Sequence, residues 1–200
     1  MVAEIALDIP KYSPPKLYTL AEYLAREERS IHKHQFNNGQ IIRMPGAKAK
    51  HNEIATNVTT AFKNATRGLD ILYRVLNSDQ KIYIENAHVA VYPDALVICE
   101  KPIFWNGRED LIVNPLVVVE VLSASTRRYD KGDKFLLYKQ APTLREYITI
   151  EQTKPYIESW FRKEKNTWDN TFQDDITQSF ELQSIGVSIS LSDIYENIEF

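Results

Sequence analysis

Residues 115–122 read Pro-Leu-Val-Val-Val-Glu-Val-Leu. Apolar, mostly β-branched residues occupy both alternating sets of positions, so a strand here is covered on both faces. That is the pattern of a central strand in a sheet flanked by helices. Glu120 is the one ionisable side chain in the run. A bare charge is too costly to bury, so this carboxylate must be paired, protonated or bound to a metal. A second acid sits in a similar setting: Asp94 lies within Val-Tyr-Pro-Asp-Ala-Leu-Val-Ile-Cys, directly after Pro93. Proline lacks an N–H and favours an edge, bend or bulge. A bend there lets the carboxylate leave the pleat and enter a cleft. The plainer alternatives are that Asp94 caps a turn and that Glu120 pairs with Arg127 or Arg128.

The other elements fit around these two. Thr19 and Glu22 form a capping box before a helix that ends near Ser30. His34 to Met44 reads as a hairpin turning at Asn38-Gly39. Ala47 to Arg67 carries apolar residues at helical spacing, with Gly68 at its end. Strands are expected at 71–76, 81–84 and 91–98, with a loop over 100–114. A helix is expected from Arg128 to Gln140, stopped by Pro142, and a further strand at 145–150. Residues 156–162 and 167–172 alternate as an antiparallel meander, and a short helix closes the chain at 189–194. The expected fold class is therefore α/β: a mixed central β-sheet flanked by helices, followed by a C-terminal antiparallel β meander. Residues 1–17, with three prolines, read as an extended arm, and 18–200 as a single domain of ordinary size.

The formal net charge of −3 argues against a protein that coats nucleic acid over its whole surface. The charge is uneven, however. Arg43, Lys48 and Lys50 stand without an acid between Arg43 and His51, and Arg127 and Arg128 open a second basic stretch. Such runs are either ordinary solvated faces or one basic working face. The single cysteine, Cys99, permits no intrachain disulfide, and no secretory leader is evident. No apolar run approaches the roughly 18 residues of a membrane span. A soluble cytoplasmic protein is expected.

Asp130, Lys134 and Tyr138 fall at i, i+4 and i+8, on one helix face. At their plainest, Asp130 and Lys134 are a weak surface ion pair. Placed beside Asp94 and Glu120, Lys134 would orient a water or offset charge on a phosphoryl transition state. Two carboxylates suit a hard divalent cation completed by waters and phosphate. Together these groups point to metal-assisted phosphodiester cleavage. No Gly-rich phosphate loop, serine-nucleophile elbow or paired-cysteine zinc pattern is present.

Pro93-Asp94, the run Val118 to Thr126, the Asp130, Lys134 and Tyr138 spacing, and Glu146-Tyr147 together resemble the Uma-two family. These are restriction-endonuclease-like proteins of the PD-(D/E)XK nuclease superfamily. Asn38 to Ile42 and His51 resemble its N-terminal pattern, and the likeness runs from about Tyr18 to Tyr195. The resemblance implies a restriction-endonuclease-like core and a metal site for Mg²⁺ or Mn²⁺ at Asp94, Glu120 and Val121. It implies Asp94, Glu120 and Lys134 as catalytic residues, with Lys134 carried on a helix instead of the usual strand. Gln35, His51, Asp130 and Tyr138 would support them. Two departures stand out. Leu122 occupies the strand position of the usual lysine, and Gln35 stands where the family usually has glutamate.

Three functions follow. The first is a metal-dependent DNA endonuclease. The second is a catalytically weakened DNA-binding module on the same fold, suggested by Gln35 and Leu122. In both, Lys48, Lys50, Arg127 and Arg128 would contact nucleic acid. The third is a homodimeric interaction protein that uses its many tyrosines and tryptophans as anchors. A homodimer is also compatible with the first.

Overall fold

The computed structural model describes residues 16–200. The expected N-terminal arm lies almost wholly outside the described residues. Helix α1 (Leu20–Glu27) starts at the Thr19–Glu22 capping box. Strands β1 (His34–Asn37) and β2 (Gln40–Arg43) form the expected hairpin. Both turn residues have left-handed backbones, Asn38 at φ 47° and Gly39 at φ 89°, as a two-residue hairpin turn of this twist requires. Gly39 also lies under Leu17, whose Cβ would be 3.1 Å from any Cβ added there. Helix α2 (Ala49–Ala65) follows, burying Ile54, Val58, Ala61 and Phe62.

Strands β3 (Tyr73–Asn77), β4 (Lys81–Ile84), β5 (Val89–Val91) and β6 (Ala95–Cys99) come next. They correct the sequence reading in one important respect. The expected strand at 91–98 is two strands in two different sheets, broken at Tyr92-Pro93-Asp94. Proline cannot donate to a ladder, so the chain leaves one sheet and enters the other there. The expected loop at 100–114 also contains a short strand, β7 (Leu111–Ile112).

Strand β8 (Val117–Leu122) is fully buried, as its two-sided apolarity requires. After it the chain winds through an α-turn, α3 (Arg127–Tyr129), a π-helical stretch from Asp130 to Lys134, and a second α-turn, α4 (Phe135–Tyr138). Strands β9 (Glu146–Glu151), β10 (Ile157–Glu164) and β11 (Thr167–Gln173) return. Strands β12 (Ser179–Leu182) and β13 (Val187–Ser190) pair with each other, and α5 (Leu191–Ile194) follows. Of the expected terminal helix at 189–194, residues 189–190 belong to β13 and 191–194 to α5.

One sheet has the order β2-β1-β5-β4-β7 and the larger has β11-β10-β9-β8-β6-β3. The larger sheet is mixed: β8 runs parallel to β9 and antiparallel to β6. The meander strands β10 and β11 extend this sheet instead of standing apart from it. Side chains alternate across it. Val117, Val119 and Val121 pack with α2, Phe180 and Ile189. Val118 and Tyr147 pack on the other side with Phe135, Tyr138 and residues of the smaller sheet. By this alternation Glu120 belongs with Val118, facing the π-helical stretch. Among the described residues no helix is long and apolar enough to cross a membrane.

Candidate active site

Asp94 sits where the chain passes between sheets. Its backbone N–H still donates to the Val119 carbonyl (3.1 Å), continuing the β6–β8 ladder. Its Oδ2 accepts the Val121 N–H at 2.7 Å. The bend at Pro93 has taken the next backbone partner away, and the side chain replaces it. The other oxygen, Oδ1, lies 3.0 Å from His51 Nε2 in the first turn of α2. Asp94 is therefore oriented from two sides. Val121, expected among the metal ligands, contributes its amide to Asp94.

Glu120 reaches away from α2 toward the helical stretch. Its Oε1 accepts from Lys134 Nζ (2.7 Å) and Tyr138 Oη (2.7 Å), and Oε2 has no hydrogen-bond partner among the described residues. Lys134 also lies 3.4 Å from Asp130. Glu120, Asp130 and Lys134 are each 4% exposed. Burial pushes the Glu120 carboxyl up to about 8; Lys134 opposes this, and the charges of Asp94 and Asp130 add to it. Burial also works against the Lys134 ammonium, but the Glu120 and Asp130 charges outweigh it and hold its pKa above that of an ordinary lysine. The π-helical turn widens the helix where Asp130 and Lys134 project, a distortion common at functional sites. Tyr147, on β9, pins that turn by donating to the Asp130 carbonyl (2.8 Å).

The strand position expected for lysine is filled by Leu122, fully buried. The Lys134 ammonium arrives at Glu120 from the facing helix instead. Glu146, part of the motif pattern, is structural: it accepts from Ser159 and Ser184 and ties the β12–β13 turn to the main sheet.

Asp94, Glu120, Asp130 and Lys134 lie in one cleft of about 1330 Å³, which Gln35 and His51 also line. Lys48, Lys50 and Arg127 line it too, whereas Arg128 is exposed outside its lining. Two of these cations are already engaged. Lys50 donates to the Glu199 carbonyl, and Arg127 pairs with Glu151. Helix α2 presents its N-terminus with no side-chain cap and no acid in its first turn, which leaves amide donors and a positive dipole end near the cleft.

The sequence reading missed Glu27. Its carboxylate accepts from the His34 N–H (2.8 Å) and the Tyr92 hydroxyl (3.0 Å), and lies 2.9 Å from His34 Nδ1. This buried network braces the hairpin against the residue before Pro93. The signal was present: Glu27 continues the apolar stripe of Leu20, Tyr23 and Leu24 at helical spacing. Tyr92 and Tyr129, which line the cleft, carry no comparable signal.

The donor set suits a hard divalent cation. Asp94 is fixed in direction, Glu120 keeps one oxygen unpartnered, and the surrounding acids outnumber the buried lysine. Among the described residues no three such side chains converge as a cage. Asp94 and Glu120 would supply two carboxylates, the number a Mg²⁺ ion takes when it retains water.

A family model described as "Putative restriction endonuclease", that of Uma2, matches residues 20–192. The chain belongs to the Uma2 family. Two relatives from Synechocystis sp. (strain PCC 6803) are similar to it. The uncharacterized protein slr1290 is 35% identical over 191 residues, covering 96% of this chain and 95% of its own. The uncharacterized protein sll1609 is 35% identical over 153 residues, covering 76% and 85%. Among solved structures, a putative nuclease belonging to DUF820 from Anabaena variabilis superposes with TM-score 0.71 at 15% identity. That match spans 89% of this chain and 97% of the other, and shares the fold. Gln35, read from the sequence as standing where a glutamate was expected, lines the cleft.

Proposed function

We propose that this chain is a Mg²⁺- or Mn²⁺-dependent endonuclease that hydrolyses phosphodiester bonds in DNA. One observation carries the reading: Asp94, at the sheet switch, and Glu120, on β8, line the same cleft, with the buried Lys134 ammonium on Glu120. Family membership supports a nuclease, and the fold neighbour's description as a nuclease agrees with it. Asp94 and Glu120 would hold the cation, which when bound polarises the phosphate and activates water.

The remaining work falls to the protein. His51 and the Val121 amide hold Asp94 in one orientation, and Tyr138 does the same for Glu120. Lys134 stays protonated, so it serves as a fixed positive charge beside the reacting phosphate and not as a base. The basic lining of the cleft draws the polyanion in. Double-strand cutting suits a two-fold pair of such sites, so a homodimer accompanies the proposal. Light scattering that gives a monomer would remove it.

The test is cleavage of plasmid and single-stranded DNA with Mg²⁺ or Mn²⁺. Wild type should cut, chelator should stop it, and Glu120→Ala should lose at least ~100-fold. Equal residual activity in wild type and variant would place the activity elsewhere. Gln35 and Leu122 favour a second reading, a DNA-binding module without chemistry. A divalent-cation titration that finds a site lost in Glu120→Ala would count against it.

A further inference from the structure

The cleft does not end at the carboxylates. A second, shallow concavity lined by Arg26, Arg29 and His32 adjoins it, and His32 lines both. Arg43, at the end of β2, joins them, its Nη2 lying 3.1 Å from His32 Nε2. Arg26, Arg29 and Arg43 form no ion pair with a carboxylate among the described residues. The more obvious cations differ: Arg127 is neutralised by Glu151, and Lys33 by Asp79. Uncompensated guanidinium groups lining two adjoining concavities suit successive phosphates. The same lip is also apolar. Ile31 is 93% exposed and Ile42 43% exposed, and both line the cleft. Leaving two isoleucines in water beside phosphate-binding cations costs free energy that base faces could recover. In a duplex those faces are stacked and hidden, but in a single strand they are open.

We infer that the lip formed by Arg26, Arg29, His32 and Arg43, with Ile31 and Ile42, binds a single nucleic-acid strand leading to the cleft. The inference rests on the nuclease reading and names its substrate as unpaired strand. It also extends the phosphate-binding surface beyond Lys48, Lys50, Arg127 and Arg128 to α1 and the hairpin.

The experiment is fluorescence anisotropy with a labelled 20-nucleotide single strand and its duplex, in EDTA so that nothing is cut, over a salt series. Wild type should prefer the single strand. The triple variant Arg26→Ala/Arg29→Ala/Arg43→Ala should lose at least ~10-fold affinity. Its salt slope should shrink by about two, near 0.7 for each phosphate no longer neutralised. Arg127→Ala/Arg128→Ala should change the slope by less than a single phosphate would. Ile31→Ala should weaken single-strand binding several-fold without changing the slope. A triple variant with wild-type affinity and slope would overturn the inference, as would a duplex bound as tightly as the single strand. Cleavage by wild type with no measurable binding at this lip would overturn the inference and leave the nuclease reading standing. A lip that binds as described, with no metal-dependent cleavage, would do the reverse.

Discussion

At the scale of single residues, the account turns on one buried lysine. Lys134 partners Glu120 at 2.7 Å, and both are almost completely removed from solvent. Removing one member of a buried pair strands the other, at a cost of about 3–5 kcal/mol. At pH 9, where Glu120 is ionised, Lys134→Ala should therefore be destabilised by that order in urea unfolding of metal-free protein, and Mn²⁺ should restore part of the loss by supplying another cation. An unchanged midpoint would mean that the ammonium is not holding Glu120. Titration gives a second expectation. The folded-state pKa of Glu120 is raised from 4.5 to about 8. Between those values the folded protein binds more protons than the unfolded chain, so stability is fully present below about pH 4.5 and falls as pH rises through 8. Metal-free protein should show a melting temperature that declines across this window, and Glu120→Gln should flatten the decline. A wild-type profile parallel to that of Glu120→Gln would refute the shift.

At the scale of elements, two devices place the site: the sheet switch at Tyr92-Pro93-Asp94 and the π-helical turn from Asp130 to Lys134. The first was partly legible in the sequence, because proline beside an acid in an apolar run signals a bend. That the bend carries the chain into another sheet was not legible, since both flanking segments have the same apolar pattern. The second was legible only as a helix: spacing of four puts Asp130, Lys134 and Tyr138 on one face whether the turn is α or π. Pro93→Ala should restore backbone freedom, cost about 0.5–1 kcal/mol, and reduce cleavage by more than its stability loss explains, because Asp94 loses its fixed direction. Wild-type kinetics in this variant would mean that the bend does not position the acid. Glu146→Ala should unpin the β12–β13 turn, leaving Ser159 and Ser184 donors unpaired at a cost of about 3 kcal/mol. Hydrogen exchange should then rise first in residues 179–190, and uniform protection there would contradict the role given to Glu146.

At the scale of the whole molecule, the two-sided apolarity of 115–122 was enough to give a covered central strand, the order of helices and strands gave a mixed sheet, and β8 occupies an interior position in it. The division into two sheets, and the extension of the larger one by β10 and β11, depend on long-range pairing that local pattern does not encode. Asp94 and Glu120 could be singled out because charge in an apolar setting is costly, and Lys134 because it shares a helix face with Asp130 and Tyr138. The Arg26–Arg29–Arg43 lip could not, because exposed arginines carry no such cost. What gathers them is the packing of α1 beside the β1–β2 hairpin. The central claim is that Asp94 and Glu120 together hold a divalent cation at the floor of this cleft. Crystals soaked in Mn²⁺ and measured for anomalous scattering test it most directly. The account predicts one peak within about 2.0–2.3 Å of an Asp94 oxygen and of Glu120 Oε2, with Lys134 still against Oε1. No peak at that position, or a peak bound by other residues, would contradict it.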